Sequence, residues 1–61
     1  MKDLIDRATK ALIDTNKPQI IYRRYGKLAI LPLQTYIDAD LDSKGAKRIA
    51  IITKNAAGKI I

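Results

Sequence analysis

The ionisable side chains of this 61-residue chain are restricted to aspartate, lysine, arginine and tyrosine, because histidine, cysteine and glutamate are absent. The usual general bases, nucleophilic thiols and soft metal ligands are therefore missing. The three glycines, Gly26, Gly45 and Gly58, are isolated and form no phosphate-binding loop. We expect neither an enzyme, nor a bound cofactor, nor a metal site.

The aspartates of residues 38–42 are the one pattern that resembles a metal site. Asp38-x-Asp40-x-Asp42 matches the first three ligand positions of an EF-hand calcium loop. That loop requires glycine at its sixth position and glutamate at its twelfth, where this chain has Ser43 and Ile49. The calcium-site interpretation therefore fails. A solvated acidic face, or a set of partners for nearby lysines, is the alternative.

Three cations, Arg23, Arg24 and Lys27, surround the dipeptide Tyr25-Gly26. The residues on either side favour strand, so the pattern predicts a β-hairpin with a two-residue turn. Tyrosine is a poorer turn residue than asparagine, and a slightly different loop length stays open. Because neighbouring residues of a strand face opposite sides, only one of the two arginines can share a face with Lys27.

The net charge of +6 is unevenly distributed along the chain. Residues 17–37 carry four cations and no acid, and residues 44–61 carry five cations and no acid. Nucleic acid is the natural partner of this pattern, since each cation that neutralises a phosphate releases counterions. The alternative is a basic surface that only keeps the protein soluble. Three tyrosines are too few for a platform that stacks single-stranded bases.

The remaining patterns predict a single α+β domain over residues 1–61. Apolar residues at helical spacing predict a helix over 2–16, ended by Asn16 and Pro18. Residues 35–42 read either as a half-buried strand or as a helix. We favour a short helix over 35–41, because Thr35-x-x-Asp38 is a capping-box pattern and aspartate is depleted in strands. After a turn at 43–45, a third strand over 48–53 and a stub at 59–61 complete a small antiparallel sheet covered by the first helix.

The size of the chain limits how it is stabilised. A core of 61 residues supplies little stability, and disulfides and metal sites are excluded by composition. We therefore expect self-association, most simply a homodimer. No long apolar run predicts a signal peptide or a membrane span, so we expect a cytoplasmic protein.

The segment KPQIIYRRYGKLAILPLQTY, residues 17–36, resembles the centre of the Phd/YefM antitoxin family. In that family a helix leads through a proline into a strand that ends in paired arginines. A glycine turn, a second strand and a Leu-x-x-Tyr helix start follow, here Leu33-x-x-Tyr36. The similarity covers residues 2–36. It implies a DNA-binding dimer that represses its own operon.

The resemblance also implies roles for individual residues. By position, Arg23 corresponds to the hairpin arginine implicated in operator contact, and Lys2 to an arginine at the start of the first helix. The family's N-terminal strand and acidic toxin-binding tail have no counterpart in this sequence. We expect strand 48–53 to take the sheet position of that N-terminal strand.

These observations lead to three hypotheses. The first is a small homodimeric DNA-binding regulator in which Arg23, Arg24, Lys27 and Lys2 contact phosphates. The second is a phage-type or mobile-element inhibitor or adaptor that binds a host enzyme or defence complex through a sheet edge or the acidic residues 38–42. The third is a subunit of a larger assembly whose basic segment 44–61 lies on RNA or DNA.

Overall fold

The computed structural model describes residues 2–60, and of Lys2 only the backbone. The strands form one antiparallel sheet in the order β2-β1-β3. The predicted α+β class, with the first helix packed on a small antiparallel sheet, is confirmed. The elements are α1 (Lys2–Thr15), β1 (Gln19–Arg24), β2 (Lys27–Pro32), α2 (Leu33–Asp38), a 3-10 helix (Leu41–Lys44) and β3 (Lys47–Ile52).

Helix α1 is amphipathic, and its buried side chains are Ala8 and Leu12. It ends at Thr15, one residue before the predicted bound, because Asn16 adopts a left-handed conformation with φ 55°. The Asn16 N–H donates to the Leu12 carbonyl at 2.7 Å, which satisfies one of the last helical acceptors. Neither α1 nor any other helix of residues 2–60 combines the length and apolarity needed to cross a membrane.

The central strand β1 buries side chains on both faces of the sheet. On one face Ile20 packs with Tyr36, Leu41 and Ala46 in a buried cluster. Ile21 points to the other face because side chains alternate along a strand, and it is also fully buried. The buried residues of α1 lie outside the Ile20 cluster, and α1 contacts β1 and β3. The sheet therefore carries α1 on one face, with α2 and the 3-10 helix on the other.

Helix α2 confirms a helix in the ambiguous segment, but the predicted bounds are wrong. It begins at Leu33 because Pro32 occupies the N-cap with φ −55° and ψ 136°, and no side chain caps this end. The predicted capping box does not form. Asp38 instead accepts a hydrogen bond from the Gln34 amide at 2.8 Å, an i to i+4 pair along the helix.

Strand β3 begins one residue before its predicted start, at Lys47, and ends at Ile52. A β-bulge interrupts its pairing with β1 between Ile21 and Tyr22. The predicted C-terminal stub is represented by a single bridge between Lys54 and Ile60. The stub's last residue, 61, lies outside the described part of the chain.

Candidate nucleic-acid interface

The β1–β2 hairpin ends in a two-residue turn at Tyr25-Gly26. Arg24 and Lys27 are directly paired. The turn residues have φ values of 54° and 72°, as a type I′ turn requires, so the predicted loop length is confirmed. Glycine adopts this conformation freely, whereas Tyr25 does so against the steric cost of its Cβ. Because Tyr25 is 83% exposed, core packing does not account for its presence there.

The two arginines of the hairpin lie on opposite faces, as predicted. Directly paired residues share a face, so Arg24 shares one with Lys27. Arg23 pairs with Leu28 of β2 and with Lys47 of β3, and these three share the opposite face. The cationic neighbour of Arg23 is thus supplied by β3, 24 positions further along the chain (47 − 23).

An open cleft of about 170 Å³ lies at this end of the sheet. Both arginines reach it, although they leave β1 on opposite faces, because it lies where the strand ends. β3 adds a third cation from the segment that follows Gly45, which turns with φ 92°. The cleft is lined by Arg23, Arg24, Tyr25, Gly26, Gly45 and Lys47.

The cations of the cleft have no acidic partner among the described side chains, where the sole ion pair joins Arg48 to Asp42 at 2.8 Å. Arg24 is held by its neighbour Tyr25. Its guanidinium carbon lies 4.7 Å from the ring centroid, and its Nη2 donates to the tyrosine hydroxyl at 2.9 Å. The Arg24 Nε is buried without a hydrogen-bond partner in the described chain. A buried donor without a partner is costly.

The structure brings together only some of the predicted site residues. Arg23 and Arg24 line the cleft, while Lys27 lies opposite Arg24 but outside the lining. The side chain of Lys2 is outside the described structure, so its phosphate contact stays a prediction. Lys47 was missed, because the sequence placed it just before the third strand. The sequence feature that could have identified Lys47 as a site residue is its position in the segment 44–61, which contains no acidic residue.

The three aspartates of the acidic segment do not converge. Asp38 bonds within α2, as described above, and Asp40 accepts from the Ser43 hydroxyl at 3.0 Å. Asp42 accepts two hydrogen bonds from Arg48, at 3.1 and 2.8 Å, through its Oδ2 atom. Within the described residues no three acidic side chains are grouped so that they could hold a metal ion. The carboxylates have local partners, and the expected lysines are not among them.

Asp42 also joins the buried cluster to β3. It accepts a hydrogen bond from the hydroxyl of Tyr36, whose ring is fully buried. The Arg48 guanidinium carbon lies 5.5 Å from the centroid of the same ring. Hydrogen bonds from Arg48, and secondly from Tyr36, lower the pKa of Asp42. Burial, and secondly the bond to Asp42, raises the pKa of Tyr36.

These pKa shifts predict a stability that declines at both extremes of pH. Because the pKa of Asp42 is depressed, its contribution is present above the pKa of an unfolded aspartate and is lost as pH falls through the folded value. Because the pKa of Tyr36 is raised, its contribution is present below the pKa of an unfolded tyrosine and is lost as pH rises through the folded value.

Asp42→Asn is expected to flatten the acid limb and to lower the melting temperature at neutral pH. The loss should be modest, because the Asp42 and Arg48 side chains are 49% and 47% exposed. Thermal unfolding followed by circular dichroism between about pH 2 and 7 measures both effects. Asp14→Asn, at an exposed position near the end of α1, is the matched control. An acid limb equally steep in wild type and Asp42→Asn would contradict the assignment.

No protein-family model matches this chain, and neither a curated protein nor a solved structure shows significant similarity to it.

Proposed function

We propose that this protein is a small homodimeric DNA-binding regulator, resembling the DNA-binding half of a Phd/YefM antitoxin, that contacts phosphates with the tip of its hairpin. The observation that carries the proposal is the cleft in which Arg23, Arg24 and Lys47 meet without an acidic partner among the described side chains. Arginine suits this role, because its planar fork donates two hydrogen bonds to one phosphate.

The surroundings of the cleft favour an extended polyanion over a small anion. Lys27 pairs with Arg24 at the same end of the sheet, and Lys44 precedes the cleft residue Gly45. A row of cations gains most from a polymer that releases counterions at every phosphate. A small anion would contact only the cleft residues and would leave Lys27 and Lys44 without a phosphate.

The placement of the tyrosines favours duplex DNA over a single strand. Tyr36 is fully buried and Tyr22 packs against it, with ring centroids 5.2 Å apart. Only Tyr25 is exposed, and the Arg24 guanidinium already stacks on one face of its ring. Binding of single strands relies on aromatic rings onto which successive bases stack. This surface offers cations for the backbone and no such series of rings.

Salt dependence tests the proposal. The fluorescence anisotropy of a labelled duplex of about two helical turns is titrated with protein between about 50 and 200 mM salt. We expect a log–log slope near −0.9 for each phosphate contacted, or about −3 if the three cleft cations of one chain all bind phosphates. An unlabelled single strand of equal length should compete less well than duplex. Absence of duplex binding at the lowest salt would refute the proposal.

A further inference from the structure

The outer side of β3 is an open sheet edge. β3 is the last strand in the order β2-β1-β3, and the side chains of Ile49 and Ile51 are 44% and 40% exposed along it. An edge with unpaired backbone groups and exposed apolar side chains is a template for another strand.

The opposite edge, β2, is less suited to pairing. The Leu33 N–H donates to the Pro18 carbonyl at 2.9 Å, which shows which β2 backbone groups point towards β1. Counting back by twos, Leu28, Ile30 and Pro32 present their backbone groups outwards. Pro32 has no N–H, so the β2 edge lacks one of its donors. The β3 edge, Lys47–Ile52, contains no proline.

We propose that β3 pairs antiparallel with β3 of a second copy of this chain, about a two-fold axis at Ala50, to form a six-stranded sheet. In this register Ile49 of each copy lies opposite Ile51 of the other. Because the two-fold axis repeats this contact, the dimer covers Ile49 and Ile51 of both copies. The added apolar burial stabilises a small domain whose own core is limited.

The charges of β3 favour this register. With the axis at Ala50, Lys47 of one copy lies opposite Thr53 of the other, and no two cations are directly paired. Arg48 is already bound to Asp42, which reduces its repulsion of the second copy. Moving the axis one residue towards the C terminus would place Arg48 opposite Lys54, and like charges at that position oppose pairing.

The pairing gives the two clefts a defined spacing. Strand spacing and rise place the Arg23 and Lys47 pairs of the two copies roughly 20–25 Å apart. That is less than the 34–36 Å between major-groove half-sites, so both clefts would meet one duplex within a single helical turn. The contact of both clefts with one duplex rests on the proposed function, whereas the β3 pairing does not.

Sedimentation equilibrium in buffer without nucleic acid tests the association itself. Wild type should sediment as a dimer of the 6.8 kDa chain. Ile51→Lys should raise the dimer dissociation constant by roughly 100-fold, about tenfold for each lysine placed at the interface. Ile37→Lys, on α2 and 49% exposed, is the matched control and should remain dimeric. A monomeric wild type would overturn the proposal and leave the edge for a strand of another protein.

A disulfide test covers the case in which Ile51→Lys does not fold. The chain has no cysteine, so Ala50→Cys introduces one thiol per copy. Across a two-fold axis at this residue the two Cα atoms lie about 4.5 Å apart, within the range of a disulfide. Ala50→Cys should oxidise to a covalent dimer, and Ala29→Cys on β2 should not. The reverse result would overturn the proposal. A β3 dimer that binds no DNA would refute DNA binding and leave this interface in place, and a monomer that binds DNA would refute the homodimer and leave DNA binding in place.

Discussion

A protein carrying Arg23→Ala and Arg24→Ala together should bind duplex DNA about 50-fold more weakly than wild type near 0.1 M salt. Each phosphate contact contributes about eightfold at that concentration through counterion release, and two are removed from each cleft, so these values apply to a duplex that contacts one cleft of the dimer. The salt slope should become shallower by about 2 for the same reason. Anisotropy titrations across a salt series measure both quantities on one set of samples.

The control removes two charges from the opposite end of the sheet. Lys17 precedes β1, and Lys59 adjoins Ile60, which bridges to Lys54 beyond the end of β3. Both lysines are exposed. Lys17→Ala with Lys59→Ala lowers the net charge equally but leaves the cleft intact. Equal losses in the two double variants would indicate a diffuse basic surface instead of a site at the hairpin tip.

A Lys47 variant tests whether DNA binding depends on the whole cleft or on the hairpin residues alone. It pairs directly with Arg23 across β1 and β3 and lines the same cleft. Lys47→Ala should therefore extend the loss seen in the arginine double variant, with a further decrease of about 1 in the salt slope.

Ile20→Ala should leave the protein largely unfolded at room temperature. Ile20 is fully buried in the middle of the central strand, where it packs with Tyr36, Leu41 and Ala46. Truncating a buried isoleucine to alanine costs about 2–5 kcal/mol. A core of this size supplies roughly 3–5 kcal/mol, so the loss is comparable to the whole stability. Urea unfolding of the wild type gives its stability, and the far-ultraviolet circular dichroism of Ile20→Ala without urea, at the same protein concentration, shows how much folded structure is left.

Ile13→Ala is the matched control for this prediction. Ile13 lies on α1 and is 58% exposed, so the same truncation removes little buried surface. We expect its free energy of unfolding to stay within about 0.5 kcal/mol of wild type. If Ile20→Ala were no more destabilising than Ile13→Ala, the buried cluster would not be the main source of stability.

Local patterns were sufficient for most elements. The helical spacing of α1 and the left-handed Asn16 set that helix and its end, because both depend on interactions within one turn. The hairpin follows from strand-favouring residues around Tyr25-Gly26. The start of α2 was placed too late, since the Thr35 capping pattern competes with the backbone geometry of Pro32.

The α+β order of elements, the hairpin with its cations, and the opposite faces of Arg23 and Arg24 could therefore be predicted from local sequence patterns. Strand alternation and turn chemistry are local properties, readable from neighbouring residues. Tertiary structure alone decided that β3 lies beside β1, which sets Lys47 next to Arg23 and closes the cleft. It also decided that Asp42 binds Arg48 and the buried Tyr36. These contacts join separate segments of the chain. The periodicity of one segment predicts its own secondary structure but does not determine which residue of another segment it will contact.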